Sequence, residues 1–393
     1  MKEVNYCYFR DVFPIQMGKT PPRGDSASWD NDKVTHNYWV SVADITKNEG
    51  KQITDTKEYI SDIAATKIRK VKANSLLMSF KLTIGKMAFA GIDLYTNEAI
   101  IAIPENEKYN LRFLYYYLSS YNWKSLTDGN EKVKGATLNK TSIGQIMLPI
   151  VSLSAQQRIV DFLDAEFAKI DAIKANTEQQ LRAAKDLFQA ALKEMLAPKE
   201  GWENKTLGEV GSFFRGGNFT KADFVEDGIP CVHYGQIHMH FGVATDAPLT
   251  YLPANFPKVK YAKSGDLLIA ITSEDDEGSC KCTAWLGDED VAIGGHMAAY
   301  RHRLDPVFMS YFFRSQSFQR EKLEYTHGFK VVEIKPSDIA KIHISYPDTK
   351  EQKEIVRKLD DIQGKIDTLQ SNYNQTLTLC NDLKQALLKS IFA

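Results

Sequence analysis

The sequence predicts an α+β protein built twice, with two globular domains separated by two long antiparallel coiled-coil helices and related by a pseudo-twofold internal duplication. Three observations predict it. The run AQQRIVDFLD at 155–164 returns as EQKEIVRKLD at 351–360, and Lys169-Ile170-Asp171 returns as Lys365-Ile366-Asp367, all at an offset of 196 residues. That spacing is about half the chain, far beyond the roughly 20–50 residues of a solenoid repeat, so the duplicated unit is a whole domain plus its helix. Each copy ends in a proline-free amphipathic stretch, and the segments between mix strand and helix patterning. The division that follows is 1–153 globular, 154–199 helical, 200–350 globular and 351–393 helical.

The duplication runs through the globular segments. Phe9, Asp11, Val12, Ile15 and Gly18 match Leu207, Glu209, Val210, Phe213 and Gly216, and Phe113, Tyr116 and Leu118 match Phe308, Tyr311 and Phe313. Ile143, Ile146 and Leu148 match Ile339, Ile342 and Ile344. Most of these anchors are apolar and read as core, while the middles of the copies diverge and read as surface. A shared frame carrying two surfaces implies two targets.

Within each copy, Tyr38–Val42, Ser75–Phe80 and Leu267–Ile271 read as strands, the last bounded by Gly265-Asp266. Leu111–Tyr121 and Pro306–Phe318 carry aromatic residues at helical spacing. Tyr115, Tyr116, Tyr117, Phe312 and Phe313 read as packing rather than as a base-stacking platform. The first long helix has a seam of Ile159, Leu163, Phe167, Ile170, Ile173, Thr177, Leu181, Ala184, Phe188, Ala191 and Met195, opens near Ser154 as cap and stops before Pro198. The second has Ile355, Leu359, Ile362, Ile366, Leu369, Tyr373, Leu377, Cys380, Leu383, Leu387 and Ile391. Steps of three and four over about five heptads match the coiled-coil template, and roughly 40 residues span about 60 Å. Neither seam is stable in water, so the helices pack antiparallel on each other; the alternative folds each onto its own domain.

Composition narrows the function. The 393 residues exceed one core, and 43% hydrophobic with 25% charged is that of a globular chain. There is no run of 18 apolar residues, and the start MKEVNY lacks the apolar core of a signal peptide, so a cytoplasmic protein that leaves membranes alone is expected. The net charge of −1 divides into +4 over 1–153, −5 over 200–350 and zero over both helical segments. A protein that held DNA by itself would show a basic excess, so any DNA binding needs partners that supply charge.

Catalytic signatures are missing: the chain has neither a phosphate-binding GxxxxGK[ST] loop nor GxSxG, HExxH or the Asn/Asp-Pro-Pro-aromatic motif of adenine methyltransferases. The acidic run Glu274-Asp275-Asp276-Glu277 could hold a hydrated cation for a nuclease, yet four like charges read better as a solvated hairpin tip. His238-x-His240 has no evident third ligand, and Cys280-x-Cys282 among five cysteines lacks zinc spacing, so no metal site is expected.

Several motifs carry a family resemblance. Gly18-Lys19-Thr20-Pro21, Ser79–Lys86 followed by Thr96-Asn97-Glu98-Ala99, and the QQRIV helix at 156–160 resemble the DNA-specificity (S) subunit of a type I restriction-modification system. The second half is similar through Gly201-Trp202-Glu203, Gly265-Asp266-Leu267-Leu268, Trp285-Leu286-Gly287 and Ala292–His296. The resemblance covers essentially the whole chain. It implies a non-catalytic subunit with two target recognition domains, whose two helical segments, the central and C-terminal conserved regions, serve as spacer. It implies double-stranded DNA, two adenine-N6 methyltransferase (M) subunits and two motor-nuclease (R) subunits as partners. S-adenosylmethionine, ATP and Mg then belong to the partners, and no cofactor belongs to this chain. Two other readings are a methylation-only complex and a duplicated coiled-coil adaptor that binds no DNA.

On that resemblance the base readers are expected on the divergent loops. In the first domain the candidates are Lys19, Thr20, Lys81, Thr83 and Lys86, the basic run with Lys67, Arg69 and Lys70, and Lys132, Lys134, Asn139 and Lys140. In the second they are Arg215, Asn218, His233, Tyr234, Gln236, Thr272, Ser273, Lys281 and Lys330. Arg and Lys suit guanine O6/N7, and Asn and Gln suit adenine N6/N7.

Overall fold

A computed structural model describes residues 4–81, 83–126, 138–276, 278–326 and 332–392. The chain forms two compact units, 1–175 with 375–393 and 176–374. Packing therefore divides the chain in the middle of both long helices, whereas the sequence pattern divides it at their ends. The reason lies in the helix faces: each half-helix buries apolar side chains in the core of its own unit.

In unit 1 a five-stranded sheet runs in the order Gln16–Met17, Ile100–Ile103, Leu76–Ser79, Met87–Ala90, Gln52–Ile53, with the last pair parallel. Every residue of Leu76–Ser79 is buried, which requires cover on both faces. Leu76, Met78, Ile101 and Ile103 pack on Phe113, Leu114 and Leu118 of the helix Leu111–Ser119. Leu77, Ala88 and Ile100 face the other layer, with Val40 and Ile45. That layer holds a three-stranded sheet in the order Glu58–Tyr59, Tyr38–Val40, Tyr95–Thr96. The strand expected over Tyr38–Val42 stops at Val40, because Ser41 opens the helix Val42–Lys47 with a reciprocal capping box to Asp44.

Unit 2 repeats the plan. Its five-stranded sheet runs Gly211–Arg215, Met297–His302, Leu267–Ala270, Cys282–Trp285, Ala244–Thr245, again ending in a parallel pair. The second layer is Thr250–Leu252, Ile229–Val232, Val291–Ile293, Tyr261–Ala262. The helix expected over Pro306–Phe318 is two, Pro306–Arg314 and Gln316–Lys322. Ser315 breaks it with an extended ψ of 150° and accepts the Phe318 N–H on its hydroxyl, starting the second helix.

The long helices span Leu153–Met195 and Thr349–Phe392. Ser152, not Ser154, caps the first, accepting the Ala155 N–H. Within unit 1, Lys384 Nζ lies 2.6 Å from Asp171 Oδ1 and Lys174 Nζ 2.6 Å from Asn381 Oδ1, so one number falls as the other rises and the helices run antiparallel. Within unit 2 the Lys199–Glu351 pair and the approach of Arg182 to Tyr373 show the same sense. The expected seam holds only in part: Leu383 is 50% and Ile173 51% exposed, while Leu388 and Phe392 are 2% and 8% exposed. A straight helix drifts about 20° per heptad from a 3.5-residue repeat, and the ends turn toward the domain cores rather than the partner helix.

One lock recurs in both units. In unit 1 the buried Gln156 accepts the Asn110 N–H (2.8 Å) and donates to the Lys108 and Val151 carbonyls (2.9 and 2.8 Å). In unit 2 the buried Gln352 accepts the Asp305 N–H and donates to the Pro347 carbonyl, both at 2.8 Å. Asn110 and Asp305 each cap the domain helix that follows, whose Tyr116 or Tyr311 hydroxyl donates to Asp164 or Asp360 of a long helix.

Candidate nucleic-acid interface

Each unit gathers loops at one end of its five-stranded sheet, where the first strand ends and the two central strands meet the second layer. The close approach there dictates glycine. A Cβ at Gly18 would lie 2.0 Å from the Thr96 carbonyl oxygen, and at Gly216 it would lie 2.1 Å from the Gly294 carbonyl oxygen. The matched register makes Lys19 and Gly217 equivalent: their N–H groups donate to the Thr96 and Ile293 carbonyls, each at 2.8 Å.

In unit 1 this end carries Lys19, Thr20 and Lys81 from the expected set. Trp39 Nε1 donates to the Lys19 carbonyl (3.2 Å) and Trp29 Nε1 to the Pro22 carbonyl (3.0 Å), which pins the loop between them. The Thr20 hydroxyl donates to Glu98. That bond, helped by Lys81 and Arg23 nearby, holds the Glu98 carboxyl below the ordinary carboxylate range. Lys81 lies 5.5 Å from the Phe80 ring centroid and Lys70 lies 5.7 Å from that of Tyr95, a neighbour of Trp39 in the second layer. Arg23, Glu58 and Glu98 were not among the sequence candidates.

The other candidates in unit 1 lie elsewhere on it. Lys86 is ion-paired with Glu49 at 2.7 Å, and Asn139 spends its side-chain oxygen on the Ser142 N–H, capping the helix Lys140–Gly144 that Lys140 begins. Thr83 accepts the Ser79 hydroxyl on its carbonyl. Lys67 and Arg69 are exposed on the turn after the helix Asp62–Ala65. Lys132, Lys134 and Lys330 lie outside the described residues.

In unit 2 the equivalent end is aromatic and imidazole-rich. Tyr234 stands 5.3 Å from His296 and 6.0 Å from His238 between ring centroids. His296 Nδ1 shares a 3.3 Å hydrogen bond with the Thr272 hydroxyl, and His238 Nε2 reaches the Thr272 carbonyl at 3.4 Å. Thr272-Ser273 pairs with Val332-Glu333, and Glu333 is ion-paired with Arg215. Asn218 lies beside Gly295, where a Cβ would come within 2.9 Å of its Oδ1. Lys281 Nζ donates to the His238 carbonyl at 2.7 Å.

Two expectations need correction here. Gln236 is buried; its Oε1 accepts the His233 N–H (2.8 Å) and its Nε2 donates to Thr250 Oγ1 (3.1 Å), so its amide is spent on a capping box rather than offered to adenine. His233 is also buried, its Nδ1 accepting the Gly235 N–H (3.2 Å), and burial with Lys221 and His296 nearby lowers its pKa. A polar residue at the start of a short helix is spent on capping before it is free to read. Glu274, Asp275 and Asp276 are exposed, and the carbonyl of Asp276 with that of Ser279 receives the buried Lys322 ammonium. Among the described residues no group of three or more His, Cys, Asp or Glu is placed to hold a metal ion, and no helix is long and apolar enough to cross a membrane.

One frame duplicated with matched topology, carrying two chemically different loop faces, defines a protein of two repeated domains. The family is shown directly: residues 1–183 and 199–379 each match the type I restriction modification DNA specificity domain, and the chain belongs to that family. It is 21% identical over 326 residues to the type I restriction enzyme EcoBI specificity subunit of Escherichia coli, covering 73% of this chain and 66% of that one. With the EcoKI specificity subunit of Escherichia coli K12 it shares 26% over 282 residues, covering 66% and 60%. With the MjaVIII specificity subunit of Methanocaldococcus jannaschii it shares 23% over 338 residues, covering 79% of each. The matched region thus spans slightly less than two thirds of the first two relatives.

Solved structures agree on the fold. A chain from a structural study of complex assembly and conformational transition of the type I R-M system superposes with a TM-score of 0.76 at 18% identity, covering 100% of this chain and 98% of that one. The HsdS subunit from Thermoanaerobacter tengcongensis gives 0.54 at 18% identity, covering 99% and 96%.

Proposed function

We propose that this chain is the DNA-reading subunit of a type I restriction-modification complex, in which each unit reads one half of an asymmetric bipartite target. The observation that carries this reading is the pairing of one repeated frame with two different loop faces: cationic and indole-rich in unit 1, imidazole- and hydroxyl-rich in unit 2. Half-sites read by unlike faces have unlike sequences.

The chain itself performs no bond chemistry in this reading. Two methyltransferase subunits bring S-adenosylmethionine and methylate adenine, and two motor-nuclease subunits bring ATP and Mg-dependent cleavage, all in the cytoplasm. The near-neutral charge fits this division, since partners that clamp the duplex neutralise phosphates while the loops contact base edges. The number of unread base pairs between half-sites follows from the length of the paired helices, 43 and 44 residues.

Genome-wide mapping of N6-methyladenine, with and without this gene beside its methyltransferase gene, tests the proposal. A bipartite motif that appears only with the gene is expected; methylation independent of the gene would end it. Inserting one heptad in each long helix is expected to lengthen the spacer in that motif, with both half-sites intact.

A further inference from the structure

Resting on that reading, we propose that Arg23 is the residue with which unit 1 recognises a guanine in its half-site, held in position by Trp29, Trp39 and Glu58. The guanidinium carbon lies 4.3 Å from the Trp29 ring centroid and 4.8 Å from that of Trp39, and the two indoles meet edge to face at 5.1 Å. Trp39 is buried, and its indole N–H also fixes the Lys19 carbonyl, so the surface under Arg23 is part of the domain core. Glu58 engages the guanidinium end-on: Nη1 donates to Oε1, and Nη2 to Oε2 at 3.3 Å.

This arrangement selects a base edge over a phosphate. A guanidinium has five N–H groups in a rigid plane, and an end-on carboxylate occupies the inner proton of each terminal nitrogen. The Nε–H and the adjacent outer Nη proton remain as a parallel donor pair, the geometry that fits guanine O6 and N7. Glu58 also cancels the charge of Arg23, which weakens attraction to phosphate but leaves the direction of the remaining donors unchanged. Preorganisation lowers the ordering cost of a long side chain, which Lys19 and Lys81, as point charges on flexible stems, do not share. The side chain of Arg23 is 55% exposed, and Lys81 and Thr20 converge with it on Glu98.

Unit 2 lacks the device. By strand register, Trp39 and Glu58 correspond to Cys231 and Thr250, which face each other through a 3.3 Å contact of Sγ and Oγ1. The requirement for guanine at this place therefore belongs to one half-site.

The test uses the full chain expressed with its methyltransferase, comparing the methylated motif of the wild type with Arg23→Lys, Arg23→Ala and Glu58→Gln. In Arg23→Lys and Arg23→Ala, one guanine of one half-site is expected to become degenerate, with discrimination falling about 10- to 100-fold, while the other half-site stays unchanged. Glu58→Gln is expected to weaken the same position less. A duplex with 7-deazaguanine there removes N7 without altering the protein; binding by the wild-type complex is expected to drop about tenfold or more, and binding by Arg23→Ala to stay level. If the wild-type motif survives Arg23→Lys unchanged, or the base that degenerates is not guanine, the assignment is overturned. A wild-type complex that methylates no bipartite motif overturns the underlying reading, and the Arg23 assignment with it.

Discussion

Unit 1 and unit 2 keep matched hydrogen bonds where helix meets domain and differ in the side chains they present where loops meet solvent. Gln156 and Gln352, Asn110 and Asp305, Tyr116 and Tyr311, and Asp164 and Asp360 occupy matched places with matched partners. At the loop end, Lys81 corresponds to Thr272 and Thr20 to Asn218, while Ser41 with Asp44 and His233 with Gln236 keep one capping box in different residues. The difference teaches that buried polar bonds are costly to vary, since changing one partner strands the others, whereas exposed loop residues vary at little cost in stability. Frame and content are thus separable, and each can be perturbed alone.

The largest effect is expected from the two glutamines. Replacing Gln156 with Ala removes three hydrogen bonds, to one N–H and two carbonyls, and Gln352→Ala removes two, so losses of about 3 and 2 kcal/mol are expected. Hydrogen exchange should show the loss within the unit that carries the change; equal loss in both units would break the comparison.

Acid should separate the units next. His302 in unit 2 has both ring nitrogens buried, and burial, opposed by Asp266 and the Leu304 backbone, lowers its pKa from 6.5 to about 4. Its neutral form is favoured in the folded state, so the unfolded chain binds more protons as pH falls from about 6.5 to 4. Up to about 3 kcal/mol of stability is lost through that window and is present above it. Glu98 in unit 1 has a lowered pKa, so its contribution holds above 4.5 and fades only below. Exchange at pH 7 and pH 5, corrected for intrinsic rate, should show unit 2 loosening first. Unit 1 loosening first would contradict this.

The smallest effect sharpens the frame itself. Asp164→Asn and Asp360→Asn keep an acceptor for the tyrosine hydroxyl but remove its charge, and a loss of about 1 kcal/mol is expected from each. Asp164 also pairs with Arg112 at 2.7 Å, so its variant should lose slightly more, read as a shift in the denaturant midpoint of its unit.

Most of this frame was legible in the sequence because it is written twice. Leu76–Ser79 lies within a stretch that reads as a strand by near-alternate apolar residues, Leu267–Ala270 within a short apolar run, and Phe113, Tyr116 and Phe308, Tyr311 on helix faces. The candidate faces were legible only as regions. Lys19 and Thr20 lie on a loop, whereas Tyr234 starts a helix, Thr272 lies in a short strand and Gln236 is spent on a cap. Arg23 escaped notice because its significance comes from Trp29, Trp39 and Glu58, which are brought to it by strand pairing and not by spacing. Gln156 and Gln352 recur at the repeat offset, but the bonds they make became visible only in the packed structure.

The division of the long helices carries a consequence for how the molecule is made. Unit 2 is one continuous stretch, 176–374, whereas unit 1 joins 1–175 to 375–393, and Leu388 and Phe392 sit in its core beside Phe113 and Tyr117. During vectorial synthesis the later unit has all of its parts before the earlier one does. Residues 1–175 keep an open apolar wall until 375–393 are made, and the loop closure that covers it spans about 200 residues. Unit 1 is therefore expected to close only after all of unit 2 has been made.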